Sequence, residues 1–128
     1  MFISSLKRIT RDIPGAGNQK LAACLVKGNK IISFGVNKRK THPLQVKYAR
    51  NSESIYLHAE IDVIKNSLKE ISSEVLSDCT LYIARTKKNG SEGISKPCKG
   101  CMRAIETFGI KKVVYTTDEE NVYGIMTR

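Results

Sequence analysis

The chain has 128 residues, 22 Lys/Arg against 12 Asp/Glu for a formal net charge of +10, 41% hydrophobic residues and no tryptophan. That length supports one domain, residues 1–128, with a real core, and is too short for a second. No stretch approaches the roughly 20 apolar residues of a membrane span, no signal peptide opens the chain, and its four cysteines are better explained without disulfides, so a cytoplasmic protein with no membrane partner is expected.

Phe2, Leu6, Ile9 and Ile13 fall at helical spacing, which predicts a helix over 2–13 ended by Pro14-Gly15-Ala16-Gly17. The runs Leu21–Val26 and Ile31–Val36 flank the turn-like Lys27-Gly28-Asn29-Lys30 and predict a β-hairpin. A long basic loop follows. Residues 1–50 hold eleven Lys/Arg and one acid, whereas 51–128 hold eleven of each, so all the excess charge is N-terminal. It is densest at Lys38-Arg39-Lys40, with Lys47 and Arg50 in the same loop, and reads either as a solvated face or as a phosphate-binding loop.

From Leu57, the apolar residues Ile61, Ile64, Leu68 and Ile71 recur every three or four positions, predicting an amphipathic helix over 58–71. A strand over 79–84 and an exposed loop containing Gly90-Ser91-Glu92-Gly93 come next. Cys98, Cys101, Ile105 and Phe108 form a second stripe, giving a helix over 98–108 that Gly109 stops, before a strand over 112–117. Val122–Met126 lies too close behind that strand for a parallel crossover, so it closes a second hairpin. This alternation of strands and helices argues for helices packed on a sheet whose later strands are parallel.

Both helix starts carry metal donors: His58-Ala59-Glu60 opens one, and Pro97-Cys98-Lys99-Gly100-Cys101 opens the other. Zinc favours nitrogen and sulfur, and a Cys-x-x-Cys pair at a helix start aims two sulfurs at one point while the helix dipole favours their thiolate forms. His58, Cys98 and Cys101 then make a three-ligand site with one position open. Glu60 lies too near His58 in sequence to be a comfortable extra ligand and is left for general acid/base work. A closed structural site would need a fourth ligand, but Cys24 sits inside an apolar run, Cys79 opens a strand-like run and His42 belongs to the basic loop. Cys24 and Cys79 read as buried small hydrophobes.

This H-x-E…P-C-x-x-C pattern is a known signature of zinc-dependent base deaminases, and the chain resembles the cytidine/deoxycytidylate deaminase superfamily from about Leu21 to Thr117. Ala22–Val26 and Gly28–Asn37 are similar to the family's first hairpin with its closing Gly-x-Asn, Tyr56–Ile64 to its zinc helix, and Pro97–Tyr115 to its second metal helix and following strand. The resemblance implies an α/β fold, a three-layer sandwich with a five-stranded mixed sheet and flanking helices. It implies zinc on His58, Cys98 and Cys101, with Glu60 as proton shuttle. Asn37 would contact the substrate's sugar and the Ala59 N–H the base; on the phosphate-loop reading of the charge, Lys38, Arg39 and Lys40 would take the phosphate. Histidine as first ligand resembles deoxycytidylate and tRNA-adenosine deaminases more than free-cytidine deaminases, while Asp62 stands where deoxycytidylate deaminases commonly have asparagine.

The implied activity is hydrolytic deamination of a cytosine nucleotide, deoxycytidine monophosphate first, by an enzyme expected to be a homo-oligomer. The alternative is a base deaminase acting on tRNA or single-stranded DNA; the +10 charge favours it, and the scarcity of aromatic stacking platforms weighs against it. A non-catalytic zinc module would have no need of Glu60.

Overall fold

Five consecutive residues of the first predicted strand, Ala22–Val26, are buried, as befits a strand covered on both faces. The structure, a computed structural model, describes residues 2–13, 20–38, 41–48 and 57–127. Strands β1 (Lys20–Lys27) and β2 (Lys30–Val36) form the expected hairpin, turning at Gly28 with φ 62°. On one face of β1, Ala22, Cys24 and Val26 pack with Ile3 and Leu6 of helix α1 (Phe2–Asp12). On the other, Ala23 and Leu25 join the larger core, with Ile61 and Ile64 of α3 (Ala59–Ser67) and Ala104 and Ile105 of α4 (Lys99–Thr107). The result is the expected three-layer sandwich, with α3 and α4 on the same side.

The sheet runs β2-β1-β3-β5-β6, where β3 is Cys79–Thr86, β5 Lys112–Thr116 and β6 Tyr123–Thr127. β3 and β5 are parallel and β6 returns antiparallel to β5, as their spacing required. Six strands are present among the described residues rather than five, because β4 (Glu92–Gly93) pairs with the end of β3. This corrects the surface-loop reading of 90–93: Glu92 is buried and its carboxylate meets the Lys7 ammonium of α1 at 2.9 Å while accepting the Asn121 N–H at 2.7 Å. Those partners lie far away in sequence, so the polar composition of the segment gave no sign of them.

Two boundaries also move. The helix expected over 58–71 ends at Ser67, whose hydroxyl turns back onto the Ile64 carbonyl at 2.7 Å while Lys69 and Glu70 close tighter i to i−3 bonds. The basic loop is not all loop: α2 (Pro43–Tyr48) occupies part of it. The Pro14–Gly17 stop and the basic residues Arg39, Lys40 and Arg50 lie outside the described residues.

Gly35 sets how closely β2 approaches α3. A Cβ there would run into the Val63 backbone and the Ala59 carbonyl, so even a methyl group forces the helix away from the sheet. Gly35→Ala should cost about 2–3 kcal/mol in a urea titration. A loss below about 0.5 kcal/mol would mean that the helix has room to shift.

Candidate active site

His58 and Cys98 each stand one residue before a helix, as the N-caps of α3 and α4, with extended backbone (ψ 153° and 170°). The larger core packs α3 and α4 against one another and against the sheet. Their starts converge: the His58 Nδ1 atom lies 3.3 Å from Cys101 Sγ and 3.7 Å from Cys98 Sγ. Nitrogen and sulfur ligands at usual zinc distances, spread tetrahedrally, sit about 3.5 Å apart, so this donor set fits zinc. The three atoms form a metal-capable cluster among the described residues, and neither Cys24 nor Cys79 joins it. Both are buried in the core, where burial pushes the Cys24 thiol up to about 12.

Protons are divided unevenly within the cluster. Hydrogen bonding from the Cys101 side chain, together with His58 and the Cys101 N–H, holds the Cys98 thiol down to about 3. Cys101, donating to Cys98, is pushed up, and the bond to Cys98 raises His58 above its ordinary value. The donor set thus already favours one thiolate, the form that binds metal. Glu60, one residue inside α3, is 4% exposed, and burial raises its carboxyl above the usual range.

The other expected site residues lie around this centre. Ala59 is fully buried and is the first residue of α3, where the helix leaves a backbone N–H without an intrahelical acceptor. Asn37 follows β2; its Oδ1 accepts the Leu21 N–H at 3.0 Å, which ties it to β1. Lys38 donates its backbone N–H to the Leu57 carbonyl at 2.9 Å, bridging to the residue before His58. Its ammonium is paired with Asp62 at 3.1 Å.

Two residues were missed by sequence reasoning. Asp62, 1% exposed, accepts the Val36 N–H at 2.9 Å and meets the ammonium groups of Lys38 and Lys65, so it holds the backbone before Asn37 and the side chain of the residue after it. Gln45, buried in α2, accepts the His58 N–H at 3.0 Å through Oε1. The signal for α2 was available: a proline is well suited to the first helical position, and the ring of His42, just before Pro43, accepts the Leu44 N–H at 3.0 Å.

Comparison with known proteins agrees with this geometry. The family model for the cytidine and deoxycytidylate deaminase zinc-binding region matches residues 3–117. No curated protein matches the chain. Among solved structures, the apo dCMP deaminase of cyanophage S-TIM5 is similar with a TM-score of 0.60 at 21% identity, covering 89% of this chain and 81% of that one. The same phage enzyme in complex with dCMP and dUMP gives a TM-score of 0.60 at 20% identity, with 89% and 76% covered. Cytidine deaminase from Burkholderia pseudomallei gives 0.63 at 16% identity, with 98% and 88% covered. At these identities the structural likeness shows a shared fold, and the match over residues 3–117 places the chain in the cytidine and deoxycytidylate deaminase family.

Proposed function

We propose that the protein is a zinc-dependent hydrolytic deaminase converting a cytosine nucleotide, deoxycytidine monophosphate first, to its uracil form with release of ammonia. The observation that carries this reading is the His58–Cys98–Cys101 cluster with the buried Glu60 carboxyl against it. Zinc held by those three side chains would act as a Lewis acid and lower the pKa of a bound water to about 7. Glu60 then takes a proton from the attacking water, passes it to ring N3, and helps protonate the departing amine as the C4–N bond breaks. A carboxyl whose affinity for protons is raised by burial suits a group that must both accept and return one.

Ala59 offers its N–H to the base, and Asn37, held between β1 and the Asp62-anchored end of β2, faces the sugar. Lys38, Arg39 and Lys40 take the phosphate. An ammonium has three donors, so Lys38 can keep Asp62 and still meet an anion. The phage dCMP deaminase solved with dCMP and dUMP supports a free nucleotide as substrate. The enzyme is read as one cytoplasmic domain over 1–128 working as a homo-oligomer.

A second reading, deamination of a base within tRNA or single-stranded DNA, is favoured by an open groove of about 380 Å³ lined by Lys47, Tyr48, Arg103, Glu106 and Thr107. Lys47 and Arg103 both lie over the Tyr48 ring, at 5.6 and 6.0 Å from its centre, a cationic surface suited to a phosphate backbone.

Ammonia release across cytidine, deoxycytidine, their mono- and triphosphates, single-stranded DNA and a tRNA pool, at two salt concentrations, separates the two. Deoxycytidine monophosphate is expected among the best small substrates, with a moderate salt dependence. A Lys38→Ala, Arg39→Ala, Lys40→Ala triple variant should lose phosphorylated substrates more than nucleosides. Activity confined to nucleic acid, falling by orders of magnitude between low and physiological salt, would establish the second reading instead.

A further inference from the structure

We infer that α2 is a brace that sets the metal geometry, with Gln45 as the positioning residue for His58. The inference rests on the reading of His58, Cys98 and Cys101 as zinc ligands. An N-cap residue's own N–H lies outside the helix's hydrogen-bond ladder and needs a partner from elsewhere. His58 makes no side-chain capping bond. Its N–H is instead taken by the Gln45 amide oxygen at 3.0 Å, from a side chain that is 2% exposed.

The same short helix also touches the sulfur side of the site. A Cβ on Gly100, the residue just before Cys101, would collide with the Tyr48 carbonyl, so the last residue of α2 lies directly against the first turn of α4. One six-residue segment therefore contacts the backbone of the imidazole ligand from its middle and the turn joining the two thiol ligands from its last residue. The Lys38 N–H bond to the Leu57 carbonyl, at 2.9 Å, anchors the chain just before His58 from the other direction.

Such support has a direct consequence for metal binding. A site built on two separate helices depends on their relative position, and a shift of a few tenths of an ångström spoils the 3.3 and 3.7 Å ligand separations. Removing the Gln45 oxygen leaves a buried N–H without an acceptor, so residues 57–58 must move to find one.

The test uses the full chain and reads metal rather than turnover. Zinc affinity is measured by chelator competition, and the ligand field by the absorption of the cobalt(II)-substituted protein, for wild type, Gln45→Met, Gln45→Glu and Val46→Ala. Gln45→Met keeps the volume and loses the acceptor; it should bind zinc about ten-fold or more weakly, the range seen when groups supporting a ligand are removed, with a shifted cobalt spectrum. Gln45→Glu restores an acceptor and should lie within about threefold of wild type. Val46→Ala, at an exposed position of the same helix, should change neither readout. If Gln45→Met does not fold, Gln45→Asn, one methylene short of His58, takes its place with the same expectation. Wild-type affinity and spectrum in the Met or Asn variant, or equal weakening in Met and Glu variants, overturns the brace and leaves the deaminase reading standing. A wild-type protein that holds no zinc overturns the metal centre itself.

Discussion

Glu60→Ala is expected to keep about one zinc per chain and to lose deamination by about 10²–10⁴-fold, the usual worth of a positioned general acid/base. The two halves of that result have separate causes. The zinc stays because the three donors that converge are His58, Cys98 and Cys101, and Glu60 is not one of them. The activity goes because the proposed mechanism routes the proton from water to the ring and to the amine through the Glu60 carboxyl. Glu60→Gln should behave in the same way, since an amide fills the space but cannot shuttle a proton. Both variants should unfold no earlier than wild type, because a buried carboxyl is a burden on stability that function retains. Metal analysis and initial rates on the same samples check the prediction. A fully active Glu60→Ala, under conditions where the chemical step limits turnover, would show that the proton shuttle is another group.

How much of this was legible in the sequence depended on how local the cause was. The convergence of His58, Cys98 and Cys101 could be read because each sits at a helix start within a few residues of its motif partners, and the apolar stripes behind them fix which way each helix faces. The buried run Ala22–Val26 and the short segment before β6 likewise reveal a covered strand and an antiparallel return without any tertiary information. What could not be read were side chains whose meaning comes from a partner far along the chain. Glu92 looked like part of a polar loop, yet the Lys7 ammonium draws it into the structure and makes a sixth strand of its neighbourhood. Asp62 stood out only as an aspartate where the resembled family commonly has asparagine, but three donors converge on it from β2, from Lys38 and from its own helix. Gln45 carried no signal of its own, since its role lies in a bond to a backbone thirteen residues away.

Replacing any one of His58, Cys98 or Cys101 by alanine should lose zinc and activity together, whereas Cys24→Ala and Cys79→Ala should retain both. The contrast follows from geometry: only the first three bring their donor atoms within 4.8 Å of one another. Structural zinc sites bind with roughly 10–16 kcal/mol shared among four ligands, so each ligand is worth about 2.5–4 kcal/mol and its loss weakens zinc by roughly 70- to 900-fold. A site with only three protein ligands has little margin, and loss of one should leave the purified protein with well under about 0.2 zinc per chain. The core cysteines act through packing and, for Cys79, a thiol hydrogen bond to the Val75 carbonyl at 3.5 Å. Their alanine variants remove a small buried sulfur and should lower the unfolding midpoint without moving the metal content. Thermal denaturation with and without a chelator completes the contrast, because zinc that binds only the folded chain stabilises it by mass action. The chelator should lower the midpoint of wild type, Cys24→Ala and Cys79→Ala, and should leave His58→Ala, Cys98→Ala and Cys101→Ala unchanged. Retention of a full zinc equivalent by Cys98→Ala or Cys101→Ala would break the assignment, since one thiolate and one imidazole do not hold zinc against purification, and some other donor would have to be completing the site.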